Sequence, residues 1–127
     1  MMRKMMFAAF LLAAPIAGAY AAGPPAVVGK TALGDTLVDA RGMTLYTFDK
    51  DSTGKSVCNG PCAKSWPPLA AAADATPTGK YSIDTRDDGS KQWAYGGKPL
   101  YTWSKDTKAG DTTGNGFLNG AWHAAKP

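Results

Sequence analysis

The sequence predicts an all-β domain made of two tandem, related antiparallel β units that share one core, folded as a compact barrel or sandwich. Three observations carry that expectation. The chain holds 15 Gly, 4 Trp and 5 Tyr among 127 residues, a composition that suits strands and tight turns. Short runs with alternating side chains are separated by turns containing Gly and Asp. One segment occurs twice, and a duplicated unit this small cannot close a core alone. The length allows a single domain.

The elements follow in order. Met1-Met2-Arg3-Lys4 is basic, Met5 to Ala14 is apolar, and small residues run from Pro15 to Ala22. This is the pattern of a secretory signal peptide, with cleavage after Ala21 because Ala19-Tyr20-Ala21 fits the A-x-A rule. The apolar run is too short to span a bilayer, and Pro15 interrupts it. Residues 1–21 are therefore expected to be removed, 22–32 to form a flexible lead, and 33–127 to form the domain. Loss of Arg3 and Lys4 lowers the formal charge from +4 to +2. With single, scattered lysines, that charge gives no nucleic-acid footprint.

Thr36 to Asp39 reads as a strand, Asp39 to Gly42 as a turn, and Met43 to Phe48 as a second strand. Val57 to Leu69 holds both cysteines and ends in Trp66-Pro67-Pro68, an extended end. The Ala-rich stretch Leu69 to Ala75 suits a short helical turn. Tyr81 to Thr85 and Lys91 to Tyr95 read as strands around the turn Arg86 to Gly89. Gly96-Gly97 suits a two-residue hairpin turn, since both positions accept positive φ. Lys98 to Trp103 pairs back, and Ala121 to Ala125 closes the domain.

Gly42-Met43-Thr44-Leu45-Tyr46-Thr47-Phe48-Asp49-Lys50-Asp51 lies over Gly97-Lys98-Pro99-Leu100-Tyr101-Thr102-Trp103-Ser104-Lys105-Asp106. Allowing one inserted residue, Ser65-Trp66 lies over Ala121-Trp122. Each half thus runs hairpin, Tyr-x-aromatic-x-x-Asp, Gly-rich loop, Trp, over about 33–69 and 81–127. Tyr46 and Phe48 share one strand face, and Leu45 and Thr47 share the other. Both faces are substantially apolar, as in a central strand. Asp51 and Asp106 fall just beyond their strands, where a carboxylate bonds turn amides.

The doubled Tyr-x-aromatic-x-x-Asp motif, with Cys58-Asn59-Gly60-Pro61-Cys62 and Trp66-Pro67-Pro68-Leu69 between the copies, resembles a bacterial secreted-repeat family. That family is described as predicted lipoproteins with a Yx(FWY)xxD motif. The similarity covers roughly Leu33 to Pro127. It implies an exported domain and no particular activity, because the family's function is unknown. Lipoprotein members carry a Cys at the end of the signal, and here Ala21 and Ala22 stand there. The expectation is a periplasmic or secreted, soluble protein without a lipid anchor or any other stable membrane anchor.

Chemistry candidates are few. Cys58 and Cys62, the two cysteines of an exported chain, are expected to form a disulfide closing a tight Gly-Pro loop. The spacing is not the C-x-x-C of thioredoxin-type redox motifs, and no C-x-x-C-H haem site exists. No cofactor is expected. The alternative is a copper(I) or thiol-redox site in which Cys58, Cys62 and His123 supply two thiolates and an imidazole. A second alternative is calcium-dependent binding through Asp49 and Asp51, although Gly60 stands where an EF-hand needs Glu. Gly54-Lys55-Ser56 lacks the first glycine of a phosphate-binding loop. No motif places a nucleophilic serine, so conventional catalysis is not expected. Tyr46, Phe48, Asp51, Trp66, Tyr101, Trp103, Asp106 and Trp122 are expected to be structural, joining the two units. The competing reading makes Tyr46, Phe48, Tyr101 and Trp103 the lining of a groove. The expected function is that of an exported, non-catalytic binding or structural domain, with its partner unspecified.

Overall fold

The computed structural model describes residues 24–127, so the signal segment expected over 1–21 lies outside the described residues. The described chain runs β1 (Val27–Thr31), β2 (Gly34–Val38), β3 (Tyr46–Phe48), α1 (Pro61–Ser65), β4 (Tyr81–Thr85), β5 (Lys91–Tyr95), β6 (Lys98–Pro99), α2 (Phe117–Gly120) and β7 (Trp122–Ala124). All strand pairs are antiparallel. Three small sheets result, with orders β1-β2, β3-β7 and β4-β5-β6.

Local chemistry explains the turns. The β5–β6 turn places both Gly96 and Gly97 at positive φ, the geometry whose twist matches two antiparallel strands. Between β4 and β5, the Gly89 amide donates to the Arg86 carbonyl at 2.9 Å, and the Asp88 carboxylate accepts the Ser90 amide at 2.9 Å. Asp39 does the same work after β2, accepting the amides of Arg41 and Met43. Helix α1 starts at Pro61, where a proline's missing N–H costs nothing.

The sheets are joined by a central layer that is nearly symmetric. Tyr46 and Tyr101 exchange backbone bonds: the Tyr46 amide donates to the Tyr101 carbonyl at 2.7 Å and the Tyr101 amide donates to the Tyr46 carbonyl at 3.0 Å. On the far side of Tyr46 lies Ala124; on the far side of Tyr101 lies Pro68. The next bonds match in pairs. The Ala125 amide donates to the Leu45 carbonyl, and the Leu69 amide to the Leu100 carbonyl. The Asp49 amide donates to the Ala121 carbonyl, and the Ser104 amide to the Ser65 carbonyl. Each repeat therefore makes to the other the contacts the other makes to it, about a local two-fold axis between Tyr46 and Tyr101.

Alternation along these segments splits the interior into two clusters. Tyr46, Tyr101 and Ala124 face one way, into Cys58, Trp66, Trp103 and Trp122. Leu45, Leu100 and Ala125 face the other way, into Ala26 and Leu37, with Leu69, Tyr81 and Tyr95 packed alongside. Tyr46, Tyr101, Leu45 and Leu100 are all fully buried. Burial on both faces is what the apolar Leu-Tyr pair in each repeat predicts.

The all-β class is as expected, and several details differ. Among the described residues no barrel closes: the strands form three short sheets around a central layer, with a cluster on each face rather than one shared core. The lead expected over 22–32 contains β1, because Val27–Thr31 zips onto β2 in full register from Val27↔Val38 to Thr31↔Gly34. Of the helical turn expected over Leu69–Ala75, only a single turn at Ala72–Ala75 forms, closed by the Ala75 amide donating to the Ala72 carbonyl at 3.0 Å, and Leu69–Ala71 is extended chain. In that extended part the Leu69 amide donates to the Leu100 carbonyl, the Trp93 amide to the Leu69 carbonyl, and the Ala71 amide to the Lys91 carbonyl. Those tertiary bonds override the helix preference of alanine. The strand expected over Lys98–Trp103 is regular only at Lys98–Pro99, and Pro99 has no N–H for a longer ladder.

Candidate functional site

The two motif tyrosines cross over between repeats. The Tyr46 hydroxyl donates to Asp106 Oδ2 at 2.7 Å, and the Tyr101 hydroxyl donates to Asp51 Oδ2 at 2.6 Å. Each carboxylate spends its other oxygen on its own loop. Asp106 Oδ1 accepts from the Thr113 amide at 3.0 Å and the Thr113 hydroxyl at 2.6 Å. Asp51 Oδ1 accepts the Val57 amide at 2.8 Å. The Asp of one repeat thus folds its own loop and receives the phenol of the other repeat.

Burial, followed by the bond to Asp106, holds the Tyr46 phenol far above its usual pKa range. Burial and then the bond to Asp51 do the same to Tyr101. Burial raises the Asp51 carboxyl, against the lowering effect of the Tyr101 hydroxyl and the Val57 amide.

A polar network surrounds Tyr101. Ser56 Oγ lies 2.6 Å from the Tyr101 hydroxyl. Buried Arg86 donates to Ser56 Oγ at 2.9 Å, to Gln92 Oε1 at 2.7 Å and to the Cys58 carbonyl at 2.6 Å. Gln92 in turn donates to the Leu100 carbonyl at 2.8 Å. The guanidinium replaces its hydration with a nearly complete set of acceptors, which a buried cation requires. Sequence reasoning missed Ser56, Arg86 and Gln92. Arg86 was readable only as a turn residue, since nothing in a single sequence shows that its side chain folds inward. Nearby Asp84 is buried and its Oδ2 has no hydrogen-bond partner. Burial first, then the charge of Asp51, raises its pKa.

The motif aromatics build a column of four stacked rings. Trp103 stacks on Trp66 (centroids 3.9 Å apart), Trp66 on Trp122 (3.7 Å, planes 2° apart), and Trp122 on Phe48 (4.2 Å). The column obeys the same two-fold relation, because exchanging the repeats swaps Trp66 with Trp122 and Phe48 with Trp103. Tyr46 meets Trp66 edge-on at 5.3 Å, and Tyr101 meets Trp122 edge-on at 5.1 Å. Gly114 lies against the column: a Cβ there would stand 2.6 Å from Trp66 and 3.0 Å from Trp103. Tyr46, Tyr101 and Trp103 are buried and so do not line an open groove, while Phe48 is half-buried and borders a small cleft of about 160 Å³ with Asp51, Thr53 and Lys98.

Cys58 and Cys62 are joined as a disulfide that pins α1. The corresponding turn of the second repeat, α2, has Gly114 and Leu118 in the cysteine positions. There Leu118 and Asn119 adopt positive φ, and Phe117 and Leu118 are exposed. His123 does not join the cysteines. Its Nε2 lies 2.8 Å from Asp49 Oδ2 on the exposed face of β7, while its neighbour Trp122 points into the cluster that holds Cys58. Among the described residues, no three His, Cys, Asp or Glu side chains gather as metal ligands. Asp49 and Asp51 diverge in the same way, one to His123 and the other to Tyr101. An open cleft of about 370 Å³ beside the Asp49–His123 pair is lined by Thr47, Tyr95 and Lys98 among others. No described helix is long and apolar enough to cross a membrane.

Comparison with known proteins adds one result. No curated protein and no solved structure matches the chain. A family described as a secreted repeat of unknown function matches twice, over residues 27–70 and 82–126, and these two matches fall on the two structural repeats. The first match begins at β1, which makes that strand part of the repeat and not a lead. The chain therefore belongs to the family of secreted repeats of unknown function.

Proposed function

We propose that this protein is an exported, non-catalytic domain, periplasmic or released, in which the duplicated motif is a structural clamp and any binding occurs on the outer surface. The observation that carries this reading is the reciprocal pairing of Tyr46 with Asp106 and Tyr101 with Asp51. The motif's polar groups are spent on each other and on loop donors: Tyr46, Tyr101 and Asp106 are buried, and the half-buried Asp51 gives one oxygen to Tyr101 and the other to the Val57 amide. A catalytic or ligand-binding motif would leave such groups without internal partners, whereas Asp51 borders a small cleft with both its oxygens already engaged. Export supports the disulfide, which an oxidising compartment maintains. The family's secreted character supports export.

The test is native mass spectrometry of the protein purified without reductant from the compartment into which its own cell exports it. The expected species begins at residue 22, is two hydrogens lighter than the reduced chain, and carries no metal. Reduced cysteines with one bound copper would overturn the structural reading and move the protein into metal handling.

A further inference from the structure

The clamp has a second property that a merely space-filling core lacks. Three indoles stand face to face in van der Waals contact, which gives strong electronic overlap along the column. Each inner indole has a phenol at its edge, and each phenol is hydrogen-bonded to a carboxylate at 2.6–2.7 Å. An indole that has lost an electron draws one from a neighbouring phenol only if the phenolic proton can leave at the same time. Asp106 and Asp51 are bases within hydrogen-bond reach of that proton. Both carboxylates are anchored by loop donors on their other oxygen, so the acceptor oxygens need not move. One end of the column is near the surface, where Trp103 packs against the exposed ring of Phe117 at 4.9 Å.

We propose that the aromatic column is an electron relay that accepts oxidising equivalents at Trp103 and settles them on Tyr46 or Tyr101. The co-reactant is an outer-sphere one-electron oxidant with a potential above that of the indole. It takes one electron from the column and leaves an indole radical cation. The phenol of Tyr46 then gives one electron to the indole and its proton to Asp106 Oδ2. The products are a neutral indole, a neutral tyrosyl radical and a neutral carboxyl group. Tyr101 and Asp51 are the symmetric pair. A one-electron reductant arriving later restores the phenol, and the proton returns from the carboxyl. This activity is separate from the clamp role and survives its revision, since it needs only the geometry of rings and carboxylates.

The experiment is flash oxidation of the protein by photogenerated tris(bipyridine)ruthenium(III), followed by transient absorption and freeze-quench electron paramagnetic resonance. The full chain carries Tyr20→Phe, Tyr81→Phe, Tyr95→Phe and Tyr101→Phe, so that Tyr46 is the one tyrosine left. The expected result is an indole radical that decays as a tyrosyl signal grows, with slower transfer in D2O. Asp106→Asn keeps an oxygen for the hydroxyl but removes the base, and should cut the tyrosyl rate by about tenfold or more. An indole radical that decays without a tyrosyl signal would overturn the relay. So would transfer with no solvent isotope effect, a reading that stands on the parent chain even if Asp106→Asn fails to fold. A tyrosyl yield and rate unchanged by a folded Asp106→Asn would overturn it too.

Discussion

Replacing Tyr46 with Phe isolates one arm of the clamp, because the ring stays in the core and only the hydroxyl is lost. That hydroxyl donates to Asp106 Oδ2 at 2.7 Å and accepts the Gly114 amide at 3.3 Å. A hydrogen bond to a charged acceptor contributes about 1.5–3 kcal/mol, and the longer bond to Gly114 adds less than about 1 kcal/mol. Asp106 keeps both Thr113 donors on Oδ1, so the loss is not that of an isolated buried charge. The expected cost is about 2 kcal/mol, which lowers the melting temperature of a domain this size by about 8–16 °C. Tyr101→Phe should cost less, since its acceptor Asp51 is half-exposed and water can replace the phenol there, whereas Asp106 is buried. Urea unfolding of Tyr46→Phe, Asp106→Asn and the double variant closes a cycle whose coupling should be about 1 kcal/mol or more. If Tyr46→Phe costs under about 0.5 kcal/mol and the cycle shows no coupling, the cross-repeat bond is not what holds the halves together.

Three further outcomes follow from other sites. The Asp84 carboxyl is raised by burial and by Asp51. The folded state therefore holds its proton above the pH at which the unfolded chain releases it, and stability falls as pH rises through that window. Asp84→Asn should be more stable than the parent at neutral pH, with the difference closing as pH falls below the carboxylate range; parallel urea midpoints across pH would contradict this. Opening the disulfide with reductant, or Cys58→Ser, should cost about 2 kcal/mol by the loop-entropy relation for so short a loop. Calorimetry with and without reductant measures it. Gly114→Ala drives a methyl to 2.6 Å from Trp66 and should cost about 1–3 kcal/mol by overpacking, with a shift in tryptophan fluorescence. An unchanged melting temperature would mean that the column yields without strain.

Much of the architecture was readable because the chain states it twice. The Leu-Tyr pair with apolar neighbours announces a central strand in both copies, and Gly96-Gly97 announces its hairpin turn. Strand β1 was missed because Pro24-Pro25 and Gly29 argue against a strand, and Val27 and Val28 stay half-exposed at the edge. Its counterpart β4, in the second repeat, is the signal that could have found it. The stretch from Leu69 to Ala75 reads as helix by composition, but Leu69–Ala71 is held extended by partners far away in sequence and only Ala72–Ala75 turns. The crossed Tyr–Asp pairing was illegible for a different reason. A repeat shows which residues recur, but either aspartate stands at a plausible distance from either tyrosine along the chain. Only the two-fold packing decides that each phenol reaches the other repeat's carboxylate.

That rotational relation has an evolutionary consequence. A contact surface related to itself by a two-fold axis is self-complementary, as in an isologous homodimer. A shorter ancestral chain holding one copy would find in an identical chain the aspartate for its tyrosine and the indole for its ring. Fusion of two such chains removes the concentration dependence of assembly, and from then on the halves are free to diverge. The present halves show that divergence where the pairing does not reach. One half has a cystine at its helical turn, and the other has Gly114 and a left-handed Leu118 in those positions.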